Sequence, residues 1–238
     1  MKIKISKNGK TITSLDKWFE LAPPKRKEKQ WKVGRSAMEM ARFALSDSFS
    51  GFISQVLKDC KLESLASDFE CEPEANSSFG KGMGKGESRN HDLLMIGKDV
   101  LLGVEAKVSE SFDKQISKKR KEVKDQTRIN KFIQYIYGNN APKNVKDLYY
   151  QLFSATIGSI KEAERRGDIN NVIVLFIVFK EKLENKKTND KNDEAFNAFC
   201  ASLNLKKNQP ISFPEAQNIN CWIKKVEIGI NSNYQFNW

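Results

Sequence analysis

A mixed α/β domain, with helices on both faces of one central sheet, is what the succession of patterns in this chain predicts. Three observations carry it. Residues 170–179, NNVIVLFIVF, are a continuous β-branched and aromatic run, as expected of a strand buried on both faces. Residues 144–167, NVKDLYYQLFSATIGSIKEAERRG, read as one long helix from an Asn144 N-cap to a Gly167 C-cap. Residues 91–108, HDLLMIGKDVLLGVEAKV, are two apolar runs about a Gly-Lys-Asp turn, the pattern of a hairpin. A meander of strands, then helices, then a lone buried strand, needs helices on both sides of the sheet to cover it.

The elements follow in order. MKIKISKNGKTI alternates apolar and polar residues about Asn8-Gly9, a hairpin or edge-strand signal. TSLDKWFELAPP is a short helix capped by Thr13 or Ser14 and stopped by Pro23-Pro24. KRKEKQWK is a basic loop. GRSAMEMARFALSD places Ala37, Met40, Ala41 and Ala44 at helical spacing, and GFISQVLKDCKL continues as a second helix. LASDFECEPEANSSF is a strand with a polar end, and the glycine-rich FGKGMGKGESRN is a loop expected to be mobile. After the hairpin, SFDKQISKKRKEVKDQ is a very basic helix or helix-loop, and TRINKFIQYIYG a helix ended by Gly138. Beyond the buried strand, LENKKTNDKND reads as a charged loop, DEAFNAFCASLNL as a helix and INCWIKKVEIGI as a closing edge strand. One domain over residues 1–238 is expected: an N-terminal strand and helix extension (1–32), a core (33–180), and a C-terminal helix and edge strand (181–238).

Composition narrows the function. The chain has 41 Lys+Arg against 30 Asp+Glu, a formal net charge of +11, which points to a polyanionic partner, nucleic acid first. Its four cysteines are widely spaced without a C-x-x-C pair, which argues against a zinc ribbon and for free thiols in a reducing cytoplasm. MKIKISKNGK carries no apolar signal-peptide segment, and no apolar run approaches the roughly 20 residues of a membrane helix, so no membrane is expected. His91 is the single histidine, so Ser-His-Asp or Cys-His catalysis would have to use that residue. Any catalysis here is expected to run on carboxylates and lysine.

The hairpin carries those groups. With Lys98-Asp99 as a two-residue loop, Asp92 lies directly opposite Glu105; a three-residue loop shifts it by one position. Glu105 and Lys107 are two apart and share a face. Two nearby carboxylates repel unless one protonates or a cation sits between them. Mg²⁺ takes a few carboxylates, keeps waters, polarises a phosphate oxygen and activates a bound water. Lysine beside it stabilises developing charge or helps to orient and deprotonate that water. The lysine-bearing glycine loop, with Lys81 and Lys85, fits neither phosphate-loop motif, and a strand follows it where those motifs need a helix.

The pattern D-x12-E-x-K, with the turn inside it, resembles the PD-(D/E)xK superfamily of restriction-endonuclease-like nucleases, over residues 33–180. Helices before the hairpin and a helix and strand after it match that fold's α-β-β-β-α-β core. QWKVGRSAMEMA, GVEAKVSESF and LYYQLFSATIGSIKEA look like a poorly characterised bacterial family of such proteins. His91 stands where the motif's name has proline. The resemblance implies a restriction-endonuclease-like core and Mg²⁺-dependent cleavage of DNA, with Mn²⁺ as a substitute, in bacterial defence or repair. It makes Asp92, Glu105 and Lys107 catalytic, with the metal on Asp92 and Glu105, and Glu39 of GRSAMEMA as a further ligand. Gln151 and Glu110 are accessory candidates. Many restriction-type nucleases pair to cut both strands, so a homodimer is compatible with this reading.

PPKRKEKQWK (Lys25, Arg26), the glycine loop (Lys81, Lys85) and KQISKKRKEVK (Lys118, Lys119, Arg120) are candidate clamps on the nucleic-acid backbone, which give affinity without sequence preference. The alternative is a non-catalytic nucleic-acid-binding or protein-interaction module on the same fold, its acids kept as structural charges.

Overall fold

In a computed structural model, the structure describes residues 1–80, 88–108, 110–123, 126–180, 186–230, 234 and 236–237. The opening residues form the expected hairpin: β1 (Ile3–Lys7) and β2 (Lys10–Thr11) flank Asn8-Gly9, with Lys7 opposite Lys10. Helix α1 (Leu15–Leu21) starts at Ser14, whose hydroxyl accepts from Lys17 N–H, so Ser14 rather than Thr13 is the cap. Helices α2 (Ser36–Ala44) and α3 (Ser48–Asp59) precede the meander β3 (Phe69–Ser78), β4 (Ser88–Ile96) and β5 (Val100–Lys107). Then come α4 (Ile116–Glu122), α5 (Thr127–Tyr137) and α6 (Tyr150–Arg166), the buried strand β6 (Asn171–Lys180), helix α7 (Lys186–Ser202), and strands β7 (Ile211–Phe213), β8 (Ala216–Gly229) and β9 (Phe236–Asn237).

One mixed sheet runs β2-β1-β3-β4-β5-β6-β8-β7, with β9 also on β8. The meander is antiparallel, whereas β5, β6 and β8 are parallel. Alternate residues divide the core into two layers. Leu102, Val104 and Ala106 join Ile173, Leu175 and Ile177 in the layer under α1, α2 and α3. Leu101, Val172, Val174 and Phe176 join the layer under α5, α6 and α7. Helices therefore flank both faces, as the sequence predicts. Among the described residues no helix is long and apolar enough to cross a membrane.

Three expectations are corrected. The long helix starts at Tyr150, not Asn144; residues 145–147 form a 3₁₀ turn, and Leu148 is extended (ψ 154°). The cause is tertiary: Tyr149 bridges to Gln115, with Ile116 N–H donating to Leu148 C=O at 2.8 Å and Tyr150 N–H to Lys114 C=O at 3.0 Å. The charged stretch expected as a loop is helical from Lys186; Ala195 and Phe199 anchor α7 to the core, and its polar first turns extend from that anchor. The closing strand is not an edge: β8 lies between β6 and the short β7, three residues that carry too little pattern to stand out. At the other end of the long helix, Gly167 caps α6 in the left-handed region (φ 80°), as expected.

Candidate active site

The hairpin register follows from its turn. Ile96 pairs with Leu101 and Leu93 with Val104, and Gly97 N–H donates to Val100 C=O, leaving Lys98-Asp99 as the two-residue loop. That register, carried one step on, puts Asp92 opposite Glu105. There the ladder gives way to a side chain: Asp92 Oδ2 accepts the Ala106 N–H at 2.6 Å.

The same point is a break in two strands. On β3, Phe69 and Cys71 face the α2/α3 layer, whereas Ala75 and Phe79 face the α5/α6 layer. Odd residues of one strand should share a face. They change sides at Glu74, which is in the left-handed region (φ 46°), a costly conformation for a residue with a side chain. Strand β4 changes sides with it, because Pro73 still pairs with Leu93 and Ala75 with His91. Leu94 packs in the α5/α6 layer, yet His91, three residues earlier, is also on the α6 side: its Nε2 is 2.7 Å from Ser77 Oγ, and its Cε1 lies 3.3 Å from where a Cβ on Gly103 would be.

This break brings Arg89 to the face that carries Glu105. Its guanidinium donates to Glu105 Oε2, and its Nη1 donates to Ser154 Oγ at 3.2 Å. Lys107 Nζ donates to Glu105 Oε1 at 2.7 Å, and Gln151 Nε2 donates to the same oxygen from the first turn of α6. Two close approaches seat α6 this near. A Cβ on Gly103 would fall 1.9 Å from Ser159 Oγ, and one on Gly158 would fall 2.9 Å from the stem of Arg89. At both places a glycine makes room for a side chain of the opposite element: Ser159 of α6 against Gly103, and Arg89 of β4 against Gly158.

The electrostatics are lopsided. Burial, reinforced by Glu105, pushes the Asp92 carboxyl up to about 8. Burial works against ionised Glu105 as well, but Arg89 and Lys107 outweigh it and hold its carboxyl below the usual range. Burial likewise opposes the Lys107 charge, and the attraction of Glu105 and Asp92 overcomes it, so Lys107 is held above its usual value and stays protonated. Glu74, raised mainly by burial, adds a third carboxylate to the neighbourhood, its own bonds running to Asn90. His91 is buried and pushed down to about 3 by burial and Arg89, so it is neutral.

The other expected site residues divide. Gln151 joins the cluster. Glu39 is fully buried on α2, but its carboxylate takes the Gly34 N–H at 2.8 Å and Arg42, not the hairpin acids. Glu110 accepts Val108 N–H at 2.8 Å and faces Ser36 Oγ at 3.4 Å, and its C=O accepts from Asn192. In α4, Lys118 is exposed, and Lys119 lies over the ring of Tyr150, the neighbour of Gln151. Arg120 is taken by Gln126 and Asn130. Lys25 and Arg26 are exposed on the loop after α1. Lys81 and Lys85 lie outside the described residues, as does most of the glycine loop. Arg89, Ser154 and Glu74 were not expected. Arg89 stands three residues before Asp92, and on a regular strand that spacing means opposite faces.

The donor set fits one kind of metal. Asp92 and Glu105 offer carboxylate oxygens, and Gln151 Oε1 is a buried acceptor with no partner among the described residues. Hard oxygens in small number suit Mg²⁺ or Mn²⁺, which keep waters of their own. Among the described residues no three His, Cys, Asp or Glu side chains are grouped to hold a metal, so a cation here would rest on the carboxylate pair with the amide beside it. Residues 11–229 match the family model described as Domain of unknown function (DUF6946). Neither the curated proteins nor the solved structures yield a match.

Proposed function

We propose that this chain, which belongs to the DUF6946 family, is a metal-dependent nuclease that hydrolyses phosphodiester bonds of DNA on a restriction-endonuclease-like core. The observation that carries the reading is the meeting of Asp92, Glu105, Lys107 and Gln151 at one point. Their surroundings support it: helices α2 and α3, the meander β3-β4-β5, then α6 and β6, follow the α-β-β-β-α-β order of that core.

Asp92 and Glu105 would hold the cation. Bound there, Mg²⁺ or Mn²⁺ would polarise a phosphate oxygen and make water a stronger nucleophile. Asp92 supports this, because a buried acid pushed up to about 8 gains most from a positive neighbour. Lys107, protonated, orients the attacking water and stabilises the charge that develops on the phosphate; a base role does not suit a lysine held above its usual pKa. Gln151 fixes the Glu105 carboxylate from α6. Lys118 and Lys119 take backbone phosphates beside the start of that helix. Free cysteines at 60, 71, 200 and 221 suit a reducing cytoplasm.

A second reading has an observation of its own. Both Glu105 oxygens are already held by cations or an amide, which favours a closed ion cluster in a nucleic-acid-binding or protein-interaction module. Cleavage of plasmid and single-stranded DNA by wild type and Lys107→Ala, with Mg²⁺, Mn²⁺ or EDTA, separates the two. Metal-dependent cutting that the variant loses supports the nuclease. DNA binding without cutting in any condition supports the module.

A further inference from the structure

The candidate metal site carries a cation of its own. Arg89 holds Glu105 Oε2 and is anchored a second time on Ser154 Oγ at 3.2 Å. Its stem lies in the gap left by Gly158, where a Cβ would come within 2.9 Å of Arg89 Cβ and Cγ. A glycine inside a helix is destabilising, so α6 gives up stability where Arg89 is seated.

Two buried atoms around the same carboxylate are without partners among the described residues: Arg89 Nε, a donor, and Gln151 Oε1, an acceptor. Buried polar atoms are nearly always paired. A leftover donor and a leftover acceptor at one carboxylate ask for two things, a cation to meet the acceptor and an anion to meet the donor. A phosphodiester arriving with a divalent ion supplies both.

We propose, building on the nuclease reading, that Arg89 is the internal counter-ion of this site: it holds Glu105 while no divalent cation is bound, releases it when one enters, and then turns to a phosphate oxygen of the DNA. Arg89 and the cation compete for one carboxylate. The apparent affinity for the cation is therefore lowered by the fraction of protein in which Arg89 holds Glu105. A positive residue that weakens metal binding yet strengthens substrate binding has a signature that a plain structural ion pair lacks.

Calorimetric titration of the full-length protein with Mn²⁺, without DNA, tests it. Arg89→Gln is expected to bind Mn²⁺ about tenfold tighter than wild type, and Arg89→Lys, which keeps the charge, to stay near wild type. With Ca²⁺ saturating, Arg89→Gln is expected to bind a short DNA duplex less tightly than wild type. Equal or weaker Mn²⁺ binding by Arg89→Gln overturns the competition, and undiminished duplex binding overturns the phosphate role. Should Arg89→Gln fail to fold, Ser154→Ala removes only the second anchor and is expected to tighten Mn²⁺ binding by a smaller factor. In wild type labelled with ¹⁵N-arginine, the Arg89 Nε–Hε resonance is expected to shift on adding Mg²⁺; no shift at saturation overturns the release. If wild type and Arg89→Gln take up no more Mn²⁺ than Asp92→Ala does, the metal reading itself falls, an outcome distinct from uptake that Arg89 does not affect.

Discussion

Two clusters of charge lie on the same face of the sheet with β6 between them, and they are balanced differently. In register across the parallel strands, Glu105 is level with Phe176 and Lys225, and Lys107 with Val178 and Glu227. At the β8 end, Glu227 accepts from Lys180 and from Lys225, and Lys225 also pairs with Asp193. Burial works to raise Glu227, but the two lysines outweigh it and hold its carboxyl low. Among the described residues, none of the buried side-chain atoms without a partner belongs to this network. At the β5 end, Glu105 is over-supplied with donors. Asp92 has one described bond, to a backbone N–H, and is pushed up to about 8. Two orphaned atoms sit beside them. Buried charge by itself is therefore compatible with a purely structural role. Imbalance is what distinguishes the β5 cluster, since it leaves an acid and two polar atoms better satisfied by a ligand than by the protein.

The largest effect tests whether that imbalance is functional. Lys107→Ala is expected to lower metal-dependent DNA cleavage by at least about a hundredfold, the usual scale for removing a group aimed at developing charge. Initial rates on plasmid DNA measure it. Cleavage that survives Lys107→Ala would place the chemistry elsewhere and remove the distinction between the clusters.

Next is the pH dependence of stability, where the clusters should show opposite signs. Asp92 has a raised carboxyl in the fold, so the native state keeps a proton that the unfolded chain has lost. Its contribution is present below the ordinary pKa of 3.8 and is lost as pH rises through about 8, at up to about 1.4 kcal/mol per pH unit. Glu227, with a lowered carboxyl, contributes stability above the ordinary carboxylate pKa that is lost as pH falls. Urea unfolding in EDTA across pH 4.5 to 8 is expected to show a downward drift with pH that Asp92→Asn flattens and Glu227→Gln leaves in place. A wild-type curve with no such drift, or one that Asp92→Asn does not alter, would contradict the assignment of a protonated Asp92.

A smaller effect concerns the surface near the β5 cluster. Lys118→Ala with Lys119→Ala is expected to weaken DNA binding alike for all sequences, and to reduce the slope of log affinity on log salt by roughly 1–2, near one for each phosphate no longer neutralised. Fluorescence anisotropy at several salt concentrations reads both. The equivalent pair Lys206→Ala with Lys207→Ala, exposed at the far side of β8, is expected to leave the slope unchanged.

Part of the β5 cluster was legible in the sequence; the rest of it, and the β8 cluster, were not, for physical reasons. Gly97-Lys98-Asp99 marked the turn and brought Asp92 and Glu105 to the same end of the hairpin, but left a two- or a three-residue loop open; the structure takes the first. The two-residue spacing of Glu105 and Lys107 gave their shared face. Gln151 was reachable only through the resemblance, which implies an accessory residue on the long helix after the hairpin. Arg89 was not reachable: the alternation rule puts it opposite Asp92, and only the paired break at Glu74 and Asp92, a matter of β3 and β4 together, reverses it. The late start of α6 has the same character, since a bridge from Tyr149 to Gln115 overrode a plausible Asn144 cap. Local signals placed the elements; pairings distant in sequence placed the irregularities.

The smallest expected effect on activity is the one that closes the comparison. Lys225 is nearly as enclosed as Lys107, with side chains 13% and 12% exposed, and each donates to a glutamate two residues away on its own strand. In burial and in that one pairing the two lysines are alike. They differ in what they face: Lys225 has Asp193 and Glu227, whereas Lys107 faces Glu105 and Asp92 beside the orphaned atoms. Lys225→Ala leaves Glu227 with Lys180, so the cost is expected to be about 1–2 kcal/mol of stability with DNA cleavage within a factor of about two of wild type. Lys107→Ala removes a cation from a site that has an acid to spare, so its stability loss should be no larger while its cleavage collapses. Paired measurements of unfolding free energy and cleavage rate on both variants decide it. Parallel losses of activity would mean that the whole sheet face works as one electrostatic unit, and the imbalance at Asp92 would then be no guide to the site.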